Sequence, residues 1–422
     1  MQLTRHNIKN RINEIWAHAG FQRYFRNTGW LFAFRIASMV VSFLISISVA
    51  RYLGPTNLGI INYSVSLVGL FSFIASLGID SILYRDLVNY PENENKLMGT
   101  AFFLRLFGSV LALIGVIVTM IILHGDALTN TIILIVASGY IFQCFLVIPF
   151  YFQAKVISKH LALAMFSAVF ILSLLKLLLV LARADIVYFA VVLLIEPVLY
   201  MIIYWFIYNQ AGRKIFAWRF DKKIAKSMLL ISWPLMFTGA FSAIYSRIDQ
   251  VMLGSLLNSR AVGIYSVAAL LSEYWYFVPL GIVSSLVPAI INGKKSGKVI
   301  YKKRLRSLLG LVALIGLAAA IFFTIFSDKL IQFFYGSNYI EAANVLKIYI
   351  WGGVGMSLGF VVNQLLIIEN RTKMIFVFGL ISMLVNVILN IILIPKFGMH
   401  GAAVATLISY SIIPLPILFI KY

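Results

Sequence analysis

Nine charged side chains fall inside long apolar runs of this sequence. Five are basic, Arg35, Arg105, Lys176, Arg247 and Lys347, and four are acidic, Asp80, Glu196, Asp249 and Glu273. A charge at the centre of a membrane-spanning helix costs about 2.5–3.5 kcal/mol on an insertion scale, so such residues mark paths and sites. The bases have the chemistry to hold an anion. The acids either carry protons or balance the bases. Depth separates them. Arg35, Arg105 and Lys347 lie within about one and a half turns of their run ends, where a long side chain can reach the interface. Lys176 is intermediate. Arg247 is ten residues from the end of its run, about 15 Å deep at the helical rise, beyond the reach of snorkelling. Glu196 and Glu273 are near mid-run, and Glu196 precedes Pro197, where a local helix break would free carbonyls.

Neutral polar residues form stripes. Arg35, Ser38, Ser42 and Ser46 share one helix face, as do Gly239, Ser242, Ser246, Asp249 and Gln250. Ser382, Asn386 and Asn390 make a third stripe, and Asn62 and Ser66 begin a fourth. Small polar residues at this spacing either pack helices together or line a wet cavity. The first two stripes occupy matching helices of two halves, which favours the cavity reading for Ser38, Ser42, Ser46, Ser242 and Ser246.

The elements that must position these residues are membrane helices. The chain has 422 residues, 62% hydrophobic and 12% charged, with mean hydropathy +0.96. Runs of about 20 apolar residues, the length a bilayer core requires, recur from Trp30 to Ile420. The expected fold is all-α and polytopic, with twelve transmembrane helices in two six-helix lobes. The first two helices are placed at 30–50 and 58–80, the fourth at 127–150, the eighth at 261–291 and the last two at 374–394 and 400–420. If the N-terminus is cytoplasmic, 25 of the 35 Lys and Arg residues fall in inner segments and five in outer ones. That asymmetry predicts both termini in the cytoplasm.

Two inner loops dominate the bias, 209–227 and 292–306, with six and seven basic residues. They set topology and meet anionic lipid. The first divides the chain into an N-lobe at 30–208 and a C-lobe at 228–422, preceded by an interfacial segment at 1–29 with apolar residues at helical spacing among Arg and Lys. The halves look alike. Leu53–Leu67 reads LGPTNLGIINYSVSL and Leu256–Leu270 reads LLNSRAVGIYSVAAL, each with a glycine followed by an aromatic and Ser-Val. Two similar lobes with a site between them is a transporter plan.

Composition excludes other classes. The single cysteine, Cys144, lies in an apolar run and allows no intramolecular disulfide. The five histidines are scattered without metal-ligand spacing, so no metal and no cofactor is expected. Residues 1–29 have no apolar core of a signal peptide. The net charge of +21 is spread over short loops, so nucleic acid is not the expected partner.

Four segments carry a family resemblance. Ala50-Arg51-Tyr52-Leu53-Gly54-Pro55 with Gly59 resembles the junction of the first two helices in polysaccharide exporters and O-antigen (Wzx-type) flippases of the multidrug/oligosaccharidyl-lipid/polysaccharide superfamily. SLGIDSILYRDL at Ser76–Leu87, PFYFQAK at Pro149–Lys155 and IPKFGMHGAAVATLIS at Ile394–Ser409 are similar to later junctions of that family. Asn258-Ser259-Arg260 departs from Gly-Pro-Thr in the second half. The resemblance implies a V-shaped fold in a bacterial cytoplasmic (inner) membrane. It implies alternating access carrying an undecaprenyl-diphosphate-linked oligosaccharide, as in O-antigen or lipopolysaccharide biosynthesis, to the outer leaflet. It also implies a cationic cavity, for which Arg247, Arg35, Arg105, Lys176 and Lys347 are the candidates, and ion coupling, for which Glu196, Glu273, Asp249 and Asp80 are the candidates. Partners are then the glycan lipid, membrane lipids and the glycan polymerase machinery.

Three alternatives stand beside it. A lipid II flippase would share most features. A drug/cation antiporter of the same superfamily resembles a pattern with an acid in the first helix, where this chain has Arg35. A membrane glycan polymerase or ligase would be an enzyme with a large outer loop, but the longest outer segment here, 328–344, has 17 residues. No nucleophile–base constellation supports catalysis.

Overall fold

The computed structural model describes residues 19–419, with side-chain surroundings for 34–157 and 161–419. The expected interfacial segment at 1–29 lies outside the described residues over 1–18. Every regular element among the described residues is helical, and ten helical runs are long and apolar enough to cross a membrane. The chain is a multi-pass membrane protein. Its spans are inside out relative to a soluble fold: Leu44, Phe107, Ile122 and Leu314 point large apolar side chains outward, where lipid replaces water as the solvent.

Two of the ten runs are double. Helix α1 (Ala19–Gly69) is broken at Gly54, whose φ of 71° lies in the left-handed region open to glycine, and Pro55 follows without an N–H. The run Thr372–Ile412 is broken in the same way at Gly398, φ 59°, three residues after Pro395. The twelve expected apolar segments therefore map onto ten runs. The other helices used below are α2 (Ser72–Ser76), α3 (Asp80–Asn89), α4 (Glu94–Leu123), α5 (Ala127–Ser138), α6 (Ile148–Ala154), α7 (Ser158–Leu181), α8 (Ile186–Gln210), α9 (Lys222–Leu256), α10 (Ser259–Glu273), α11 (Phe277–Lys295), α12 (Lys298–Tyr335), α13 (Glu341–Ile368) and α14 (Thr372–Ile412).

Three sequence expectations need correction. The span placed at 58–80 stops at Gly69, and α2 and α3 follow after turns, with Leu77 and Gly78 at positive φ. Asp80 is thus the first residue of α3 rather than the last residue of the second span. The fourth span is not one α-helix, because Gly139–Val147 winds as 3₁₀ between α5 and α6. Conversely, α8 continues through Pro197 without the expected break.

The described chain forms two compact units. Unit 1 comprises residues up to Ser48, Ile74–Ile114 and Ile135–Met236; unit 2 comprises Val49–Phe73, Gly115–Leu134 and Phe237 onward. Unit 1 has a core of Ile79, Leu83, Met98, Ile148, Phe152 and Tyr208. Cys144 belongs to its packing, 2% exposed with Sγ donating to Ile141 O. A core of unit 2 gathers Val283, Leu305, Leu308, Val312, Val362 and Leu365.

Candidate functional site

Unit 2 concentrates the polar residues that lie deepest. Helix α9 carries Arg247 and Asp249, which two-residue spacing sets on different faces. Asp249 is 5% exposed and fully partnered. It accepts from the Tyr265 hydroxyl at 2.7 Å, from Asn390 Nδ2 at 2.5 Å and from the Thr406 hydroxyl. Asn390 Nδ2 also reaches Asn386 Oδ1 at 3.2 Å, Asn386 donates to Ser409 Oγ at 3.3 Å, and Ser382 donates to Ser409 O at 2.7 Å. The stripe Ser382–Asn386–Asn390 is therefore a buried ladder against the last part of α14, leading to one carboxylate. A buried charge persists where such a network satisfies it. One member is incomplete: Asn390 Oδ1 is buried without a partner.

Glu273 ends α10, just before the 3₁₀ turn Tyr274–Tyr276. It accepts from the Tyr349 hydroxyl at 2.7 Å. Tyrosine rings join the two acids: Tyr265 and Tyr349 meet edge to face at 5.8 Å, and Tyr410 contacts both Tyr349 and Tyr245. Arg247 forms no ion pair within 4.0 Å among the described residues. Its guanidinium lies on Gly69, where a Cβ would fall 2.6 Å from Cδ and Nε. Helix α1 ends at Gly69, so a half-buried base sits over a helix terminus.

The second half of α1 is fastened within the same unit. Asn62 donates to Ser266 Oγ at 2.7 Å and Ser66 to Gln250 Oε1 at 3.0 Å. Arg51 donates to the carbonyls of Phe333 and Phe334, and Tyr339 donates to Ala50 O at 2.8 Å.

The remaining candidates are dispersed. In unit 1, Arg105 is 5% exposed and bound to Asp80 through Nε at 3.1 Å and through Nη2, with Nη1 on Gln143 O. Lys347, in unit 2, pairs with Asp328 at 2.8 Å. Arg35 is exposed, while Lys176 and Glu196 are half-buried in unit 1, and none has an ion pair among the described residues. Ser38 and Ser42 are half-buried and Ser46 donates to Phe43 O. Ser246 donates to Ser242 O, and Ser242 to the Tyr245 hydroxyl. The structure gives the Arg35–Ser46 and Ser242–Ser246 stripes to different units.

At the helix ends of unit 1, buried Glu94 meets Lys155 at 3.4 Å and Arg213 at 3.3 Å. The Tyr151 hydroxyl, followed by the Glu94 charge, pushes the Arg213 pKa upward. In unit 2, Glu369 takes Lys294 at 3.1 Å and the Tyr301 hydroxyl at 2.7 Å. Partial burial works to raise its pKa, but these two hydrogen bonds and the Lys294 charge outweigh it, and the net direction is down.

Sequence reasoning named Asp249, Glu273 and Arg247 but not Thr406, Tyr349 or Tyr410. Asn386 and Asn390 were visible as a stripe, which was the one signal that pointed to the ladder.

The described residues form an all-helical membrane fold, and solved structures share it. The structure resembles the lipid II flippase MurJ in an inward closed conformation, with TM-score 0.74 and 18% identity over 92% of this chain and 86% of that one. It also resembles an inward-facing multidrug transporter of the MATE family, with TM-score 0.72 and 13% identity over 90% and 92%. At these identities the likeness shows the fold. The family model described as polysaccharide biosynthesis protein matches residues 24–294, and the chain belongs to that family. The MatE model matches 234–392. Among curated relatives, the capsular polysaccharide biosynthesis protein CapF of Staphylococcus aureus is 23% identical over 390 residues, 91% of this chain and 96% of the relative. The probable flippase AglR of Haloferax volcanii is 29% identical over 175 residues, 40% of this chain and 36% of that one.

Proposed function

We propose that this protein is a flippase that moves an undecaprenyl-diphosphate-linked oligosaccharide from the inner to the outer leaflet of the bacterial cytoplasmic membrane by alternating access. Membership of the polysaccharide family supports the glycan, and the names of its flippase relatives support the reaction. The observation that carries the substrate chemistry is Arg247. Of the five intramembrane bases, Arg105 and Lys347 are neutralised by acids, whereas Arg247 is deep and has no ion pair among the described residues. A guanidinium in a low-dielectric site binds phosphate oxygens through two parallel hydrogen bonds. Arg35 and Lys176 are the secondary candidates for guiding the anion. Asp249 and Glu273 are the coupling acids in this reading: two hydroxyls and the Asn390 amide hold Asp249, and the Tyr349 hydroxyl holds Glu273. Both termini are cytoplasmic in this scheme, and the flipped glycan is handed to a polymerase.

Ligand-dependent thermal shift of the purified protein tests the substrate. Undecaprenyl diphosphate bearing a sugar should raise Tm, undecaprenyl monophosphate should do so less, and lipophilic cations should not. Arg247→Ala should remove the diphosphate shift. Stabilisation by cations alone would instead favour drug antiport.

A further inference from the structure

Phe216 is 96% exposed and Val299 is 81% exposed, the two highest values among the large hydrophobic residues described. They sit in the two loops richest in Lys and Arg. Neither is a loose tip.

Phe216 lies on a one-turn 3₁₀ helix, Ile215–Ala217. Trp218 anchors that turn by donating from Nε1 to the Tyr208 hydroxyl at 3.2 Å and packing on Phe102. Arg219 N binds Asn95 O at 3.1 Å and Asp221 N binds Thr100 Oγ1 at 3.0 Å. Around the turn, Lys214, Arg219, Lys222, Lys223 and Lys226 are exposed. Val299 occupies the first turn of α12, which Gly297 opens at φ 116°. Tyr301 and Lys294 fix this loop through Glu369, and Arg304 Nη1 donates to Ala289 O at 2.5 Å. Lys295, Lys298 and Lys303 flank Val299 in sequence and are exposed.

An apolar side chain held out on a pinned turn forfeits its burial in water. Phe216 with Phe220, and Val299 with Ile300, expose apolar spots flanked in sequence by Lys and Arg, too small for the apolar core of a protein interface. They do fit an anionic bilayer surface, which attracts Lys and Arg and accepts apolar side chains just below the headgroups. We infer that the segments 214–226 and 295–303 are membrane clamps that bind anionic phospholipid, with Phe216 and Val299 inserted beneath the headgroups. The inference concerns the lipid partner, and it stands or falls separately from the transported glycan.

Cys144 is the single cysteine and is buried, so a Cys144→Ser background permits site labelling. Phe216→Cys and Val299→Cys, each carrying an environment-sensitive fluorophore, are compared with Ser337→Cys in nanodiscs, where both faces are accessible. In discs containing phosphatidylglycerol, the 216 and 299 probes should emit to the blue and be quenched by acyl-brominated lipid but not by iodide. A second measurement needs no probe. Phosphatidylglycerol retained by the purified protein, counted by mass spectrometry, should fall with Phe216→Ser and with Val299→Ser. It should fall about fivefold for each of Lys214, Lys222 and Lys223 changed to Ser. Unchanged lipid retention in these variants overturns the inference. So does iodide quenching at 216 and 299 equal to that at 337, or a blue shift that appears only when cytosolic protein is added.

Discussion

Gly59 and Gly263 each rest on the carbonyl four residues before the other. A Cβ on Gly59 would fall 1.7 Å from Ser259 O, and one on Gly263 would fall 1.9 Å from Pro55 O. The contact is reciprocal, as a local two-fold requires, and it joins the two segments whose sequences repeat. Apolar burial does not drive helix association in lipid, so glycines that let backbones approach take over that role. Gly59→Ala or Gly263→Ala must push two backbones apart, at a cost of about 1–3 kcal/mol. Thermal unfolding in detergent should report this. Gly310→Ala, at an open position, should leave Tm unchanged.

Gly69 holds a different relation to Arg247, because its neighbour there is a flexible side chain. Gly69→Ala can be accommodated if the guanidinium swings away. Tm should therefore change little, while transport falls about tenfold, the value of one lost charge-assisted contact. Equal loss of stability and transport would make Gly69 a packing residue only.

Buried Arg105 and half-buried Asp80 form an ion pair in unit 1. Arg105→Ala leaves the carboxylate without its partner, which costs about 3–5 kcal/mol for a fully buried pair. The Asp80 side chain is 36% exposed, so the loss should lie at or below the lower end. Asp80→Asn in the Arg105→Ala background should restore part of the Tm. A double variant no more stable than Arg105→Ala would show that Arg105 stabilises through packing alone.

Glu369 gives a pH dependence. Its folded pKa lies below the ordinary glutamate value because Tyr301 and Lys294 favour the carboxylate over the opposing effect of burial. A depressed folded pKa adds stability that is complete above the unfolded pKa and is lost as pH falls through the folded one. Glu369→Gln should lower Tm at neutral pH, and the gap from the native protein should close as the pH drops below the glutamate range. A constant gap across that titration would contradict the assignment.

The fold class was legible because bilayer thickness fixes span length, and apolar runs of that length are hard to misread. The breaks were less legible. Gly54-Pro55 announces its kink through two residue types, but the stop at Gly69 has no such signature, and so Asp80 was placed inside a span it does not occupy. Pro197 misled in the opposite direction, since α8 runs on through it. At the site, stripes located Asp249, Asn386 and Asn390 by period. They could not say that Thr406, from the second half of α14, completes the group, because that pairing depends on how helices pack. Likewise depth alone sets Arg105 apart from Arg247 in the sequence, and depth does not show that Asp80 neutralises Arg105 while Arg247 has no ion pair among the described residues.

In the proposed function a diphosphate-linked glycan crosses with the help of Arg247. Proteoliposomes holding the purified protein and a fluorescent undecaprenyl-diphosphate oligosaccharide test it directly, with the glycan exposed on one leaflet scored by an impermeant glycosidase. The native protein should expose sugar from the opposite leaflet. Arg247→Ala, inserted at equal amounts, should slow this by about ten- to a hundredfold, and Arg247→Lys should recover part of the rate. Flipping by Arg247→Ala at the native rate, or none by the native protein under any imposed ion gradient, would contradict the account.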